Sequence, residues 1–351
     1  MKKLALIYGG ASPEHSVSCV TALGVLSAID KKEYQVIPVG ITPTGRFVLQ
    51  NISPSWKLAD YPKVSEASPE LVMPLGGGEL RLASGESLGT IDIAFPVLHG
   101  VNGEDGTIQG LLQLCGIPYV GNGVLASALA MDKAYSKSIF QQAGLTVAEG
   151  FVIEKAEWDK KHNHFLAKAE LLLSPACFVK PARSGSSVGV TKVKQADDLK
   201  AAIESAFEFD DKILVEKQVV GREVECSVLQ LPSGELKVSL AGEIKMTTRE
   251  FYDYEAKYID NSAELLVPTE LSDFELAEMQ RAAIKAFEAI GCSGLARTDF
   301  FLTENGFVIT EINTMPGFTP ISMYPSLFAA SGIEYPELIE TLIQTGFAAR
   351  R

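Results

Sequence analysis

The 351-residue sequence predicts an α/β fold: an open parallel α/β unit followed by two smaller α+β units. Three observations carry this. Over roughly the first 120 residues, short apolar runs alternate with amphipathic stretches, the pattern of strand–helix crossovers in a parallel sheet. The alternation resumes near Met131 around a loop rich in glycine and serine. Beyond residue 219 the chain turns β-rich, with strand pairs flanking the turns Pro232-Ser233-Gly234-Glu235 and Glu304-Asn305-Gly306.

The elements follow in order. Residues 4–8 read as a buried strand, 17–29 as a helix and 34–41 as a strand. Residues 42–90 are rich in Pro, Ser and Gly and weakly periodic, so they read as an irregular insertion with room for a small hairpin. A strand over 91–98, a helix over 105–115 and a short strand at 118–120 close the first unit, 1–130. The second unit, 131–218, predicts helices at 132–143, 165–172 and 196–207, and strands at 151–153, 177–180, 190–193 and 213–217. The third, 219–351, predicts strands at 223–231 and 236–243, a polar aromatic loop at about 245–262 and a helix over 273–290. Strands at 295–302 and 307–312 and two C-terminal helices follow.

Composition narrows the function classes. Hydrophobic residues are 46% and charged residues 21%, as in folded globular proteins rather than disordered chains. The net charge of -13 argues against non-specific binding to nucleic acid or anionic membrane, both of which need a basic surface. No window approaches 18 uninterrupted apolar residues, so no membrane span is expected. The opening MKKLALIYGG has too short an apolar run for a signal peptide. Five widely spaced cysteines without a C-x-x-C pair read as reduced core residues of a cytoplasmic protein.

Four segments carry chemistry. The loop after residue 180 reads Lys180-Pro181-Ala182-Arg183-Ser184-Gly185-Ser186-Ser187-Val188-Gly189. Its small residues let backbone N–H groups approach a phosphate, with Lys180 at the strand end, although a flexible turn has the same composition. No Walker P-loop and no G-x-G-x-x-G occurs, which counts against a P-loop enzyme and a dinucleotide-dependent dehydrogenase. Arg297 and Asp299 lie two apart on one strand, Glu311 and Asn313 two apart on the next. Pairing these strands sets three hard oxygen ligands beside an arginine, the composition expected for Mg²⁺ held with nucleotide phosphates. The exit loop of the first strand (residues 9–18) places Glu14 where open α/β sheets bind ligands, yet Ser16 or Ser18 there also serves as a helix cap with Glu14 solvated. His99 ends a strand in the same way, with Glu104 and Asp105 as helix-start charges. The tyrosine-rich stretch 250–258 suits a lid or a packed surface. Glu216-Lys217 suits an adenine edge or a strand terminus.

With these residues in view, the chain resembles the D-alanine–D-alanine ligases of the ATP-grasp superfamily over nearly its whole length. The matching motifs are GGASPEHSVS (9–18), HGVNGEDGTIQG (99–110), MDK (131–133), KPARSGSSVGV (180–190), VEK (215–217), GREVEC (221–226), FYDYEAKY (251–258), ARTDFF (296–301) and EINTMPGFTPISMYP (311–325). Residues 42–90 match poorly.

The resemblance implies ATP-dependent joining of two D-alanine molecules through an acyl phosphate, for peptidoglycan precursors. ATP would lie between the second and third units. Asp299, Glu311 and Asn313 would bind two Mg²⁺, with Mn²⁺ as a substitute and Glu311 bridging. Lys133, Lys180 and Lys257 would meet phosphates. Glu216, Lys217 and Glu223, with Ser187 and Phe301, would surround the nucleotide. Glu14 and His99 would hold the first D-alanine, and Ser322 the second. Arg297 and the Gly317 N–H would stabilise the tetrahedral oxyanion. Ser186 and Tyr258 would close the lid with Glu14, and Tyr258 within E-A-K-Y favours an amine acceptor over D-lactate. The family's habit makes a homodimer the expectation. The rival readings are a D-lactate or D-serine ligase and an inactive ATP-grasp module that only binds nucleotide.

Overall fold

A computed structural model describes residues 1–51, 64–246, 263–319 and 321–349. The first sheet has the order β3-β2-β1-β7, from β1 (Lys2–Gly9), β2 (Tyr34–Ile41), β3 (Phe47–Leu49) and β7 (Ile93–Pro96). Strand β1 pairs in parallel with β2 and β7, while the short edge strand β3 runs antiparallel. Side chains alternate across β1. Leu4, Leu6 and Tyr8 join the core beneath helix α1 (His15–Ala28), whereas Ala5 and Ile7 pack towards α2 (Thr107–Leu114).

Two expectations are revised here. Residues 71–89 form an ordered antiparallel meander of β4 (Leu71–Val72), β5 (Leu80–Leu82) and β6 (Ser87–Gly89), too short to leave a periodic signal. Residues 118–120 form only an isolated parallel bridge, Tyr119 to Ala94. Helix α3 (Val124–Met131) was not foreseen, since its sequence VLASALAM is apolar all round.

The second sheet is antiparallel, in the order β10-β9-β11-β8: β8 (Gly150–Glu154), β9 (Cys177–Pro181), β10 (Thr191–Val193) and β11 (Lys212–Lys217). One face buries Val179, Ile213 and Val215 under α5 (Lys155–Glu170) and α6 (Leu199–Ala206). Helix α4 (Lys133–Gln142) is capped by the Asp132 carboxylate, which accepts from Ala134 and Tyr135 N–H. Its Phe140 enters the third core, not the second.

The third sheet runs β15-β14-β12-β16-β17, from β12 (Arg222–Gln230), β14 (Gly242–Met246), β15 (Ala263–Leu266), β16 (Leu295–Thr303) and β17 (Gly306–Asn313). The strand expected over 236–243 divides into β13 (Leu236–Val238), paired with the far end of β12, and β14. Helix α7 (Asp273–Ala289) starts with a reciprocal Ser272–Glu275 capping box and packs Met279, Ala283 and Phe287 on the sheet. Helices α8 (Met323–Ala330) and α9 (Tyr335–Ala348) end the described chain. Leu338, Ile339 and Leu342 of α9 share the core of Leu4 and Leu6, so the last helix covers a face of the first sheet. Among the described residues no helix is long and apolar enough to cross a membrane. All five cysteines are free thiols, four of them buried.

Candidate active site

Strand register builds the acidic wall. Glu225 of β12 faces Asp299 of β16, which faces Glu311 of β17; one step on, Arg297 faces Asn313. A β-bulge makes this possible. Ile309 and Glu311 are two apart and would share a face in a regular strand, yet Ile309 is buried in the core and Glu311 lines the cleft. The pairing slips between Asp299 and Phe300, leaving Thr310 as the extra residue, whose hydroxyl donates to the Asp299 carbonyl at 2.8 Å. Arg297 donates to both Asp299 oxygens at 2.7 Å and lies 2.9 Å from Glu225 Oε2. Burial works against its charge, but Asp299 and Glu225 outweigh burial and raise the guanidinium's pKa.

The Gly/Ser loop joins β9 to β10 and meets the wall through Lys133. Its ammonium donates to the Ser184 carbonyl at 2.8 Å and stands 3.5 Å from Glu311. Ser186 and Ser187 both adopt positive φ, 49° and 58°, a strained backbone for side-chain-bearing residues. That strain turns the Ser186 hydroxyl onto Glu14 Oε1 at 2.6 Å, tying the loop to the exit of β1. The capping alternative for this exit is overturned. Glu14 itself is the N-cap of α1 and makes no side-chain cap bond, while Ser18 spans Gly9 N–H and the Val97 carbonyl. Gly100 must be glycine here: a Cβ would sit 2.5 Å from Glu14 Oε2. His99 is buried, with Nε2 3.0 Å from the Thr21 hydroxyl and Nδ1 3.7 Å from Glu104.

The cleft face of the second sheet holds a charged triad. Glu216 is buried and pairs with Lys180 through one oxygen and Lys137 of α4 through the other. Burial pushes its carboxyl up, yet the two ammoniums pull it down further, to about 2 against an ordinary 4.5. A carboxylate so depressed stabilises the fold above its unfolded pKa and loses that contribution as pH falls from 4.5 towards 2, in total about 3 kcal/mol. Glu216→Gln is therefore expected to lower stability at pH 6 but to weaken its acid dependence. Urea midpoints of both proteins at pH 6 and pH 3 check this; parallel declines would remove the triad's ionic character.

Ser322 directly precedes α8. Its Oγ lies 2.7 Å from the Thr319 hydroxyl and accepts from Thr319 N–H at 3.1 Å. A Cβ on Gly317 would come within 3.1 Å of that Oγ, so the Gly317 backbone abuts Ser322.

These groups line one cavity of about 690 Å³. Glu14, His99, Lys133, Lys180, Ser186, Ser187, Glu223, Arg297, Asp299, Phe301, Glu311, Asn313, Gly317 and Ser322 all reach it. Glu216 sits behind Lys180, and Lys217 is not on the wall but 4.0 Å from Glu149. Lys257 and Tyr258, with most of the expected lid, lie outside the described residues. Sequence reasoning missed Glu225 and Lys137. Glu225 follows Glu223 at strand period, a signal present in the sequence; Lys137 follows Lys133 at helical period, which gives a shared face but not the buried carboxylate it meets.

Among the described residues no three His, Cys, Asp or Glu side chains are grouped to hold a metal unaided. Beside Glu225, which is paired with Arg297, the wall offers the Asp299 and Glu311 carboxylates and the Asn313 amide oxygen, which also accepts from Met315 N–H at 3.1 Å. This small set of hard oxygens fits Mg²⁺ whose other positions are filled by phosphate and water.

Comparison with known proteins is consistent along the whole chain. Residues 3–122 match the family model "D-ala D-ala ligase N-terminus" and residues 139–344 the model "D-ala D-ala ligase C-terminus". The chain is 48% identical to a D-alanine–D-alanine ligase of Mycolicibacterium vanbaalenii, covering 99% of this chain and 97% of that one. It is 47% identical to one of Geobacillus kaustophilus, covering 97% and 93%. Among solved structures it superposes on the VanG D-Ala:D-Ser ligase of Enterococcus faecalis with a TM-score of 0.85 at 35% identity, covering 98% and 99% of the two chains. For the D-alanine–D-alanine ligase of Coxiella burnetii the TM-score is 0.83 at 31% identity, covering 99% and 94%.

Proposed function

The chain belongs to the D-alanine–D-alanine ligase family of ATP-grasp enzymes, and from that premise we propose how its own residues run the reaction. It is an ATP-dependent ligase that joins two D-alanine molecules into the dipeptide of peptidoglycan precursors. A carboxylate is a poor electrophile. Transfer of the γ-phosphoryl group to a first D-alanine makes one oxygen a leaving group; the amine of a second D-alanine then attacks the carbonyl, and phosphate departs with that oxygen.

Each stage has residues suited to it. Glu14, fixed by Ser186 and next to the His99–Gly100 turn, receives the first D-alanine's ammonium. Lys133 and Lys180, with Lys257, meet the phosphates, while Ser187, Glu223 and Phe301 surround the rest of the nucleotide; Glu216 stands behind Lys180 and Lys217 is off the cavity wall. Asp299, Glu311 and Asn313 would hold two Mg²⁺. Bound there, the divalent ions supply positive charge against the triphosphate. Arg297 and the Gly317 N–H face the oxyanion of the tetrahedral step, and Ser322 binds the second carboxylate. Tyr258 joins Ser186 and Glu14 when the lid closes.

One observation carries this reading: Lys133 bridges the Gly/Ser loop to Glu311, directly beside the register that pairs Asp299 with Glu311 and Arg297 with Asn313. Three units, 1–130, 131–218 and 219–351, then enclose one cleft. A homodimer in the cytoplasm fits the family and the dipeptide's use.

The structural likeness to a D-Ala:D-Ser ligase makes the acceptor the point to test. With D-alanine and an equal concentration of D-serine or D-lactate at neutral pH, D-alanyl-D-alanine is expected to exceed the mixed product. Preference for either alternative acceptor overturns the assignment. Absence of D-alanine-dependent ADP formation favours the inactive module.

A further inference from the structure

Lys137 belongs to none of the roles given above, yet its placement is unusual. It lies one helical turn beyond Lys133, in an α4 stretch that buries Ser136, Lys137 and Phe140. Its ammonium is driven under the second sheet and paired with Glu216, with side chains 8% and 4% exposed. Lys180 takes the other Glu216 oxygen from β9, in diagonal register across the antiparallel pair (Lys180 faces Leu214, two residues before Glu216). Two ammoniums thus share one buried carboxylate. They differ in access: Lys180 is 18% exposed and reaches the cavity, whereas Lys137 does not line it.

This asymmetry has an energetic meaning. A buried carboxylate stripped of its only cation is heavily penalised, because desolvation is no longer offset by attraction. Lys180 can leave Glu216 for a phosphate oxygen only if another cation stays behind. Lys137 is that cation. Burial and the neighbouring ammoniums outweigh the pull of Glu216 and lower its pKa from 10.5 to about 8, which leaves it mostly protonated at pH 7. We propose that Lys137 is a positioning residue, the fixed counter-ion that keeps Glu216 ionised and in place while Lys180 exchanges that carboxylate for the nucleotide's phosphates. The inference rests on the reading of Lys180 as a phosphate lysine.

Equilibrium binding of ADP and of adenosine to the full-length protein tests it, because only ADP carries phosphate. Lys137→Met should trap Lys180 on Glu216. The expected result is roughly 10- to 100-fold weaker ADP binding, the scale of one charge-assisted contact, with adenosine affinity within about twofold of wild type. Lys137→Arg, which keeps the charge, should retain most of the ADP affinity, and Lys137→Gln serves if the methionine variant does not fold. Equal losses for ADP and adenosine would reveal a merely structural lysine and overturn the proposal, as would unchanged ADP binding. Lys180→Ala separates the two levels. It should weaken ADP alone; if ADP binding is unaffected, the phosphate role of Lys180 falls, and the exchange with it.

Discussion

Glu311→Gln is expected to abolish turnover, lowering kcat by about 10³-fold or more, on the scale of losing a principal electrostatic contact to the transferring group. The substitution keeps volume and one oxygen but removes the charge. Glu311 is the group that the β-bulge at Thr310 turns out of the core towards Asp299, and it also stands 3.5 Å from Lys133. The glutamine brings no negative charge to the proposed metal site, and it weakens the hold on Lys133. Its side chain is 36% exposed, so folding stability should change by less than about 1 kcal/mol. ADP release under saturating D-alanine and thermal unfolding, measured on the same samples, check both halves. Near-normal ADP release would place the metal site elsewhere.

Arg297→Met should damage both chemistry and fold. Arg297 binds Asp299 with two hydrogen bonds and Glu225 with an ion pair, within a row of three carboxylates. Removing the cation leaves buried Glu225 and partly buried Asp299 unbalanced, a change that typically costs about 3–5 kcal/mol. Loss of an oxyanion donor should reduce kcat by about 10²–10³-fold in addition. A further signature separates this variant from a simple packing defect. Mg²⁺ should raise its Tm more than that of wild type, because the acidic row lining the cavity then lacks an internal cation. A Tm insensitive to Mg²⁺ in both proteins would argue that these oxygens do not bind the ion.

Much of this site could be read in advance because strand periodicity is short-range. Arg297 and Asp299 declare a shared face by their spacing alone, and buried Thr298 between them and Phe300 after them take the core face. Glu311 is different. Its spacing from Asn313 puts it on the ligand face, but what frees it from the face of buried Ile309, two residues back, is the register slip, a property of two strands together. Lys137 was hidden for a related reason. A lysine on a helix is normally solvated, and nothing local announces that β11 will offer Glu216 beneath it. The meander of residues 71–89 has strands of two or three residues, below the length at which alternation becomes visible. Helix α9 was foreseen as a helix, but its partner lies some 330 residues earlier in the chain, and amphipathicity does not name the surface it covers.

That distant partnership bears on how the chain is made. Strand β1 leaves the ribosome long before α9, with Leu4, Leu6 and Tyr8 pointing to a side that α1 shields only in part. The remaining cover is not synthesised until residues 335–348 emerge, so at bacterial-like rates of roughly 5–20 residues per second the earliest sheet waits on the order of tens of seconds for its last wall. Trimming the tail would therefore injure the head of the molecule, and newborn chains have reason to engage chaperones through their opening residues.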